Sequence, residues 1–514
     1  MLHKITNLSS LFAPALAHPL ADAHELKRVL GELPQGNAFK AVDEIAGWLE
    51  SLQAAGDVPV DRLYEAVQRL EEAAQPHLRH LLKDYLHSPR LTRADEKRLW
   101  TINFGFWTLL ADAYERCLGA VNEKGRAAEH IRSNLPELCA SLILALGGIL
   151  KWEQFHYGPT PNAFWQRLGS VLLLAEAVGV ATKTVRVASL AAPTSPMREY
   201  QKVALFQAAS MSSLLPLEIE LTERLITHFL SAFVFTKEAQ HDSVFWLDLQ
   251  LAQPPQRLAR LPERPQSTQL FFKPGPGHEA LGDLLKALER GDDVPPEINF
   301  GAQYSAKTLI PVLRHLTAYL APIPPQRKFD RHHVKHRVAV VHGLVNAFMI
   351  FSGEFGGRPP GLEVESWVVE NVSRGGFGAV LSNIPAEWLK VGALLAIQPE
   401  GGDSWLLSVV RRYYREVGNE VRVGIETLGH QLVAVELKPR SLSRYAIVTP
   451  IPVLMTEVGC APGDFLVVLP PASFDLRESL EYDREGRRHL LVPVALQEQA
   501  ADFQLARYHL SPPA

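Results

Sequence analysis

Between about Lys40 and Leu320 apolar residues recur at the three-to-four spacing of amphipathic helices. In KAVDEIAGWLESL, Val42, Ile45, Ala46, Leu49 and Leu52 fall on one face, and RLYEAVQRLEEAA repeats the pattern through Leu63, Val67 and Leu70. Such faces must be covered, so the pattern predicts helices packed on one another. LWTINFGFWTLLADAYERCL is apolar on most sides around Trp100, Phe104, Trp107 and Leu110, which predicts a central helix. Further helices are predicted over Ile131–Lys151, Phe164–Val180, Glu199–Leu215, Leu217–Phe235, His278–Leu288 and Ser305–Leu320, with proline and glycine clusters between several of them. No fixed repeat links them, so the array is irregular. SVFWLDLQLAQ and STQLFFKP flank a Pro/Arg-rich stretch and predict a small extended or β insertion near 243–273.

The pattern changes at APIPPQRKFD. Pro322, Pro324 and Pro325 end the last long helix, because proline disfavours helix at and just before itself. Beyond it come short β-rich runs separated by turn residues: HRVAVVH, NAFMIFSG, LEVESWVVEN, FGAVLSNI, ALLAIQPEGG and WLLSVVRRYYREVGNEVRVGIE. In the last, Val421, Val423 and Ile425 alternate with Arg422, Gly424 and Glu426, and Gly418-Asn419 predicts a hairpin tip. Short antiparallel strands with glycine-rich turns predict a small barrel or sandwich. The expected organisation is a multidomain α+β chain: a tail over 1–38, a helical array over 39–322, a β-barrel over 323–438 and a β-rich extension over 439–514.

A chain of 514 residues exceeds a single typical domain, and 47% hydrophobic with 21% charged residues is an ordinary globular composition. The formal net charge of −4 supplies no global attraction to nucleic acid or anionic lipid, so an anion site has to be local. Cys117, Cys139 and Cys460 lie far apart with no CxxC pair, which suits a reducing cytoplasm. The N-terminal stretch only faintly mimics an export signal, being broken by Pro14 and Pro19. The apolar runs at Leu142–Leu150 and Val171–Ala181 are shorter than the roughly 20 residues of a membrane span and are expected to be core helices.

Against that background QRKFDRHHVKHR is a concentrated positive patch, with Arg327, Lys328, Arg331, Lys335 and Arg337 against Asp330 alone. Arg327 and Arg331 stand four apart, and a planar guanidinium bonds a phosphate, or the O6/N7 edge of guanine, through two parallel hydrogen bonds. Forty residues beyond Arg331, NVSRGG offers the Asn371 amide, the Ser373 hydroxyl and backbone N–H groups that Gly375 and Gly376 leave uncovered. Each motif alone has a plain explanation: a solvated basic linker, and a polar hairpin turn. Of Arg411 and Arg412, which alternate faces, Arg411 is the further candidate for the anion site. His332, His333 and His336 lack partners at metal-ligand spacing, so no metal is expected.

Taken together, RxxxR at the entrance of a β-rich domain and NxSxxG before a later strand resemble the PilZ domain, a bacterial receptor module for cyclic di-GMP. The resemblance covers about residues 326–437 and includes WLLSVVRRYYREVGNEVRVGIETLG, which is similar to that family's closing hairpin. It implies a six-stranded antiparallel barrel, with the RxxxR strap folded over one mouth and the NxSxxG turn forming the opposite wall. It also implies that Arg327, Arg331, Asn371 and Ser373 contact the guanines and phosphates while Gly376 permits close approach. Asn371 replaces the commoner aspartate, and the long Arg331-to-Asn371 interval is ascribed to an enlarged loop at Gly353–Gly361.

The resulting expectation is a cytoplasmic cyclic di-GMP receptor that relays ligand binding from the barrel to a helical output region carrying a protein partner. Its alternative is a ligand-independent PilZ-like interaction scaffold. Neither involves nucleic acid, a membrane span, a cofactor or enzymatic chemistry: no P-loop, GxSxG, HExxH or dinucleotide fingerprint occurs in the chain.

Overall fold

The computed structural model describes residues 18–88, 91–298, 304–326, 329–353, 361–382, 388–416, 420–440, 449–457, 459–484, 486–500 and 502–511. The chain divides into two compact units, Met1–Pro325 and Gln326–Ala514.

The first unit is a helical array: α1 (Ala23–Glu32), α2 (Ala38–Ala54), α3 (Val60–His87), α4 (Arg93–Gly119), α5 (Arg126–Ser133), α6 (Leu135–Phe155), α7 (Asn162–Ala177), α8 (Pro196–Ala208), α9 (Pro216–Phe229), α10 (Pro276–Glu289) and α11 (Ala306–Tyr319). Side-chain caps start several of them, as where Asn37 Oδ1 accepts from Lys40 N and Asp22 Oδ1 from His24 N and Glu25 N. Leu26 and Val29 of α1 are buried in the helical core, so the stretch expected to be a tail contributes a packed helix. The run predicted as one helix over Ile131–Lys151 is two, divided at Asn134. Helix α6 is long and apolar enough to cross a membrane by length and composition, and 78% of its apolar window is buried inside the array. Between α9 and α10, β1 (Val234–Thr236), β2 (Phe245–Asp248), β3 (Gln256–Arg257) and β4 (Gln269–Lys273) form a sheet in the order β1-β4-β2-β3. That sheet is the small β insertion, extended by one strand that the helical pattern of Leu217–Phe235 concealed.

The second unit holds two closed six-stranded barrels. The first is built from β5 (His332–His342), β6 (Glu365–Ser373), β7 (Gly376–Leu381), β8 (Leu394–Pro399), β9 (Leu406–Arg415) and β10 (Val421–Gly429), in the order β10-β7-β6-β5-β8-β9. Val421, Val423 and Ile425 face the interior with Val369 and Ala379, while Arg422 and Glu426 face outward. Residues Leu344–Ser352, expected to be extended, form helix α12 between β5 and β6. This helix takes up part of the long interval before Asn371; the rest, 354–360, lies outside the described residues, as does the Gly418-Asn419 tip.

The expected C-terminal extension is itself a barrel, made of β11 (Val433–Pro439), β12 (Ile451–Thr456), β13 (Asp464–Leu469), β14 (Leu480–Arg484), β15 (Arg487–Gln499) and β16 (Gln504–Ser511). Its first strand starts at Val433, ahead of the expected boundary at 438. The two barrels share one apolar core: Val341, Leu394 and Leu407 from the first meet Leu454, Val468 and Phe503 from the second, with Leu344 and Ala347 of α12 among them. Burying these side chains on both sides joins the barrels into one packed body.

Candidate functional site

Strand register brings the two sequence motifs together. His332 pairs with Val372 and His333 with Asn371, so Arg331, the residue before β5, enters the barrel beside the NVSRGG bend. Of the RxxxR pair it is therefore Arg331 that leads directly into the strand beside the bend. Arg327 lies outside the described residues. Phe329 of the strap approaches the bend: its ring is 6.0 Å from the Arg374 guanidinium, and a Cβ on Gly375 would stand 3.2 Å from its Cδ2.

Within the bend Ser373 Oγ donates to Gly376 O at 3.3 Å, and Thr427 N donates to Gly375 O at 3.1 Å, tying the turn to β10. Gly376 has φ 154°, and a Cβ there would fall 1.9 Å from Ile425 O, a backbone atom that cannot move aside. Only glycine fits. Register shifts lie on both sides of Asn371: between His333 and His336 on β5, and between Val369 and Asn371 against β7. Val369 faces the core, and strict alternation would send Asn371 inward as well. The bulge at Glu370 cancels that alternation. The Asn371 amide instead lies over Gly378, where a Cβ would stand 2.5 Å from Nδ2 and 2.6 Å from Oδ1.

Gly378 also pairs with Gly424 of β10, and Gly376 with Glu426. Three glycines thus leave a patch of backbone without side chains on the outer barrel face, edged by Asn371 and by Arg412, whose Cβ is 3.3 Å from where a Gly424 Cβ would be. The room left by the missing side chains is taken by the protein itself: Ile425 O stands at Gly376, the Asn371 amide at Gly378 and the Arg412 side chain at Gly424, and Gly376 and Gly378 are buried. Arg411 is the bulged residue of β9, inserted where the β10 pairing steps from Arg412 to Val410. Its Nε donates to Glu426 Oε2 at 2.5 Å, and its Nη1 and Nη2 grip both oxygens of Glu498 on β15, the second contact at 2.7 Å. Burial opposes the charge on Arg411, but Glu498 and Glu426 outweigh it and hold its pKa above the ordinary arginine value. The guanidinium named from sequence as the additional anion ligand is thus held by two carboxylates, and Arg412 is the member of the pair beside the glycines. Among the described residues no group of three or more His, Cys, Asp or Glu is arranged to hold a metal ion.

The helical unit contains a separate cavity of about 310 Å³ between α3, α4, α6, α8 and α9. Trp107 packs flat on Gly148, where a Cβ would sit 2.5 Å from the indole. Lys151 bonds Glu220 at 3.0 Å and Glu223 at 2.6 Å; its side chain is 15% exposed and that of Glu220 4%. Burial works against the Lys151 charge, but the two carboxylates raise its pKa well above the usual lysine value.

Residues 24–240 match a family model described as the N-terminal domain of the cyclic-di-GMP receptor FimW. The match covers less than half of the chain and ends well before the first barrel. No curated protein matches the chain. The FimW-like stretch runs from α1 to just beyond β1 and includes every residue lining the helical cavity. Its resemblance is therefore carried by residues other than those of RxxxR and NxSxxG.

Three features of the barrel face escaped the sequence reading: Gly378, Gly424 and the contact of Phe329 with the bend. The first two had a signal, since an isolated glycine inside a strand marks a close approach of something to the backbone. FGAV and VGIE each carry one. The Phe329 contact had no signal, because it depends on how the strap turns into β5.

Proposed function

We propose that the first barrel is a PilZ domain and that this chain is a cyclic di-GMP receptor whose ligand sits against the asparagine–serine–glycine bend. Arg327 and Arg331 bond guanine edges and phosphates, Asn371 and Ser373 bond a guanine, and Gly375 and Gly376 allow backbone approach. The observation that supports this reading is the β5–β6 register, in which His332 and His333, directly after Arg331, pair with Val372 and Asn371. Support from an independent part of the chain comes from the similarity of residues 24–240 to the N-terminal domain of a cyclic-di-GMP receptor. Cyclic di-GMP presents two anionic phosphates and two guanines, matching cations, amide and hydroxyl in kind.

The division between the two units falls between Pro325 and Gln326, immediately before the strap. Ligand capture by Arg327 and Arg331 acts on the chain segment that joins the barrel to the helices, and so relays binding to the helical output region. Ligand can shift such an equilibrium only by its difference in affinity for the two states.

Isothermal titration of the full chain with cyclic di-GMP tests the site. Arg331→Ala removes one fork contact and should weaken binding by about tenfold to a hundredfold, from roughly 1–3 kcal/mol per good guanine pair. Ser373→Ala should weaken it by less. Binding left intact in both variants refutes this site.

A further inference from the structure

The groups that hold Arg411 come from both barrels. Glu426 belongs to the first, directly opposite Gly376, and Glu498 to the second, whose part in ligand binding is otherwise unassigned. We propose that Glu498 regulates the candidate site by holding Arg411 away from an anionic ligand, so that the second barrel sets the affinity of the first. This rests on the cyclic-dinucleotide reading above.

The charges set the direction of the effect. One guanidinium faces two carboxylates, so the trio carries a net negative charge across from Gly376, at the end of the bend. A phosphodiester approaching there meets Glu426, and Arg411 has its two terminal nitrogens on Glu498 and its Nε on Glu426. A two-oxygen fork of this kind is the most directional form of the ion pair and the hardest for an incoming phosphate to displace. The backbone that carries Glu498 is anchored close by: Phe503 is fully buried in the shared core, and Lys390 of the first barrel bonds Asp502 at 3.1 Å. Arg411 is a bulge residue outside the regular ladder, its side chain 35% exposed and that of Glu498 26%, so solvent and solute reach the pair.

The test is calorimetric titration of the full chain with cyclic di-GMP, in wild type, Glu498→Gln, Glu498→Asp, Arg411→Ala and the Arg411→Ala/Glu498→Gln double variant. Glu498→Gln should tighten binding on the order of threefold to fivefold, the scale of a partly exposed ion pair, and make it more sensitive to salt. Glu498→Asp keeps the charge but shortens the reach, so any gain it shows comes from releasing Arg411. It also serves if the glutamine variant fails to fold. Arg411→Ala should weaken binding, and the Glu498→Gln gain should shrink in its background, as a double-mutant cycle reads directly. Unchanged affinity in both Glu498 variants, or a gain of equal size with and without Arg411, overturns the inference while leaving the ligand site standing. Absence of binding by wild type overturns the site and the inference together.

Discussion

Gly378→Ala separates binding from folding at the candidate site. Its new Cβ would stand 2.5 Å from Asn371 Nδ2 and 2.6 Å from Oδ1, far inside contact distance, yet the obstruction is the end of a side chain rather than backbone. Asn371 can relieve the clash by leaving its rotamer, at a cost of about 0.5–1.5 kcal/mol. Replacing a strand glycine with alanine returns about 0.5–1 kcal/mol through the unfolded chain. The two nearly cancel, so the thermal midpoint should stay within a few degrees of wild type. Binding should not cancel. Displacing the amide removes its hydrogen bonding to the ligand, about 1–1.5 kcal/mol, or roughly tenfold in affinity. Calorimetric titration with cyclic di-GMP beside a thermal melt measures both. Wild-type affinity in a folded Gly378→Ala refutes the placement of ligand against Asn371, and a collapse of the melt shows the glycine to be structural.

Gly376→Ala should behave oppositely. Its Cβ would lie 1.9 Å from Ile425 O, so the β7–β10 pairing must open and stability should fall by about 2–4 kcal/mol in denaturant titration; a loss below 1 kcal/mol contradicts the packing described. Lys151→Met in the helical cavity leaves Glu220 with Arg224 as its remaining cation and Glu223 partly exposed, and should cost about 1–3 kcal/mol, whereas a neutral outcome would mean that Arg224 and solvent compensate both carboxylates fully. Burial raises the Glu153 carboxyl from 4.5 to about 7, so the folded chain binds this proton more tightly than the unfolded chain does. Its ionisation therefore opposes folding, with no cost below about pH 4.5, a growing one through the interval and the full cost above about pH 7. Glu153→Gln should stabilise the chain by about 1–3 kcal/mol at pH 8 and leave it unchanged at pH 4. Equal effects at both pH values refute this assignment.

Much of the architecture was legible because it depends on local pattern. The helical spacing from Lys40 to Leu320, the proline break before Gln326 and the alternation of Val421, Val423 and Ile425 each report a face that has to be buried, and burial obeys period. NAFMIFSG was misread for the same reason. A short apolar run fits a buried strand or a buried helix equally, and only its packing on the core shared by both barrels makes it α12. The closure of the C-terminal strands into a second barrel also escaped, since pairing Val433–Pro439 with Ile451–Thr456 is a matter of long-range register.

At the candidate site the chain alone determined the chemical inventory: arginines on a strap, an amide, a hydroxyl and glycines, all of which follow from residue type. What it left open was direction. A bulge at Glu370 turns Asn371 to the outer face, and another at Arg411 gives that guanidinium to Glu498 of a different barrel while Arg412 stays beside Gly424. A bulge adds one residue to one strand and reverses every later side chain, and whether it forms is decided by the partner strands. Residue identity was therefore readable in one dimension, whereas the face each residue shows and the partner it meets required the closed barrels.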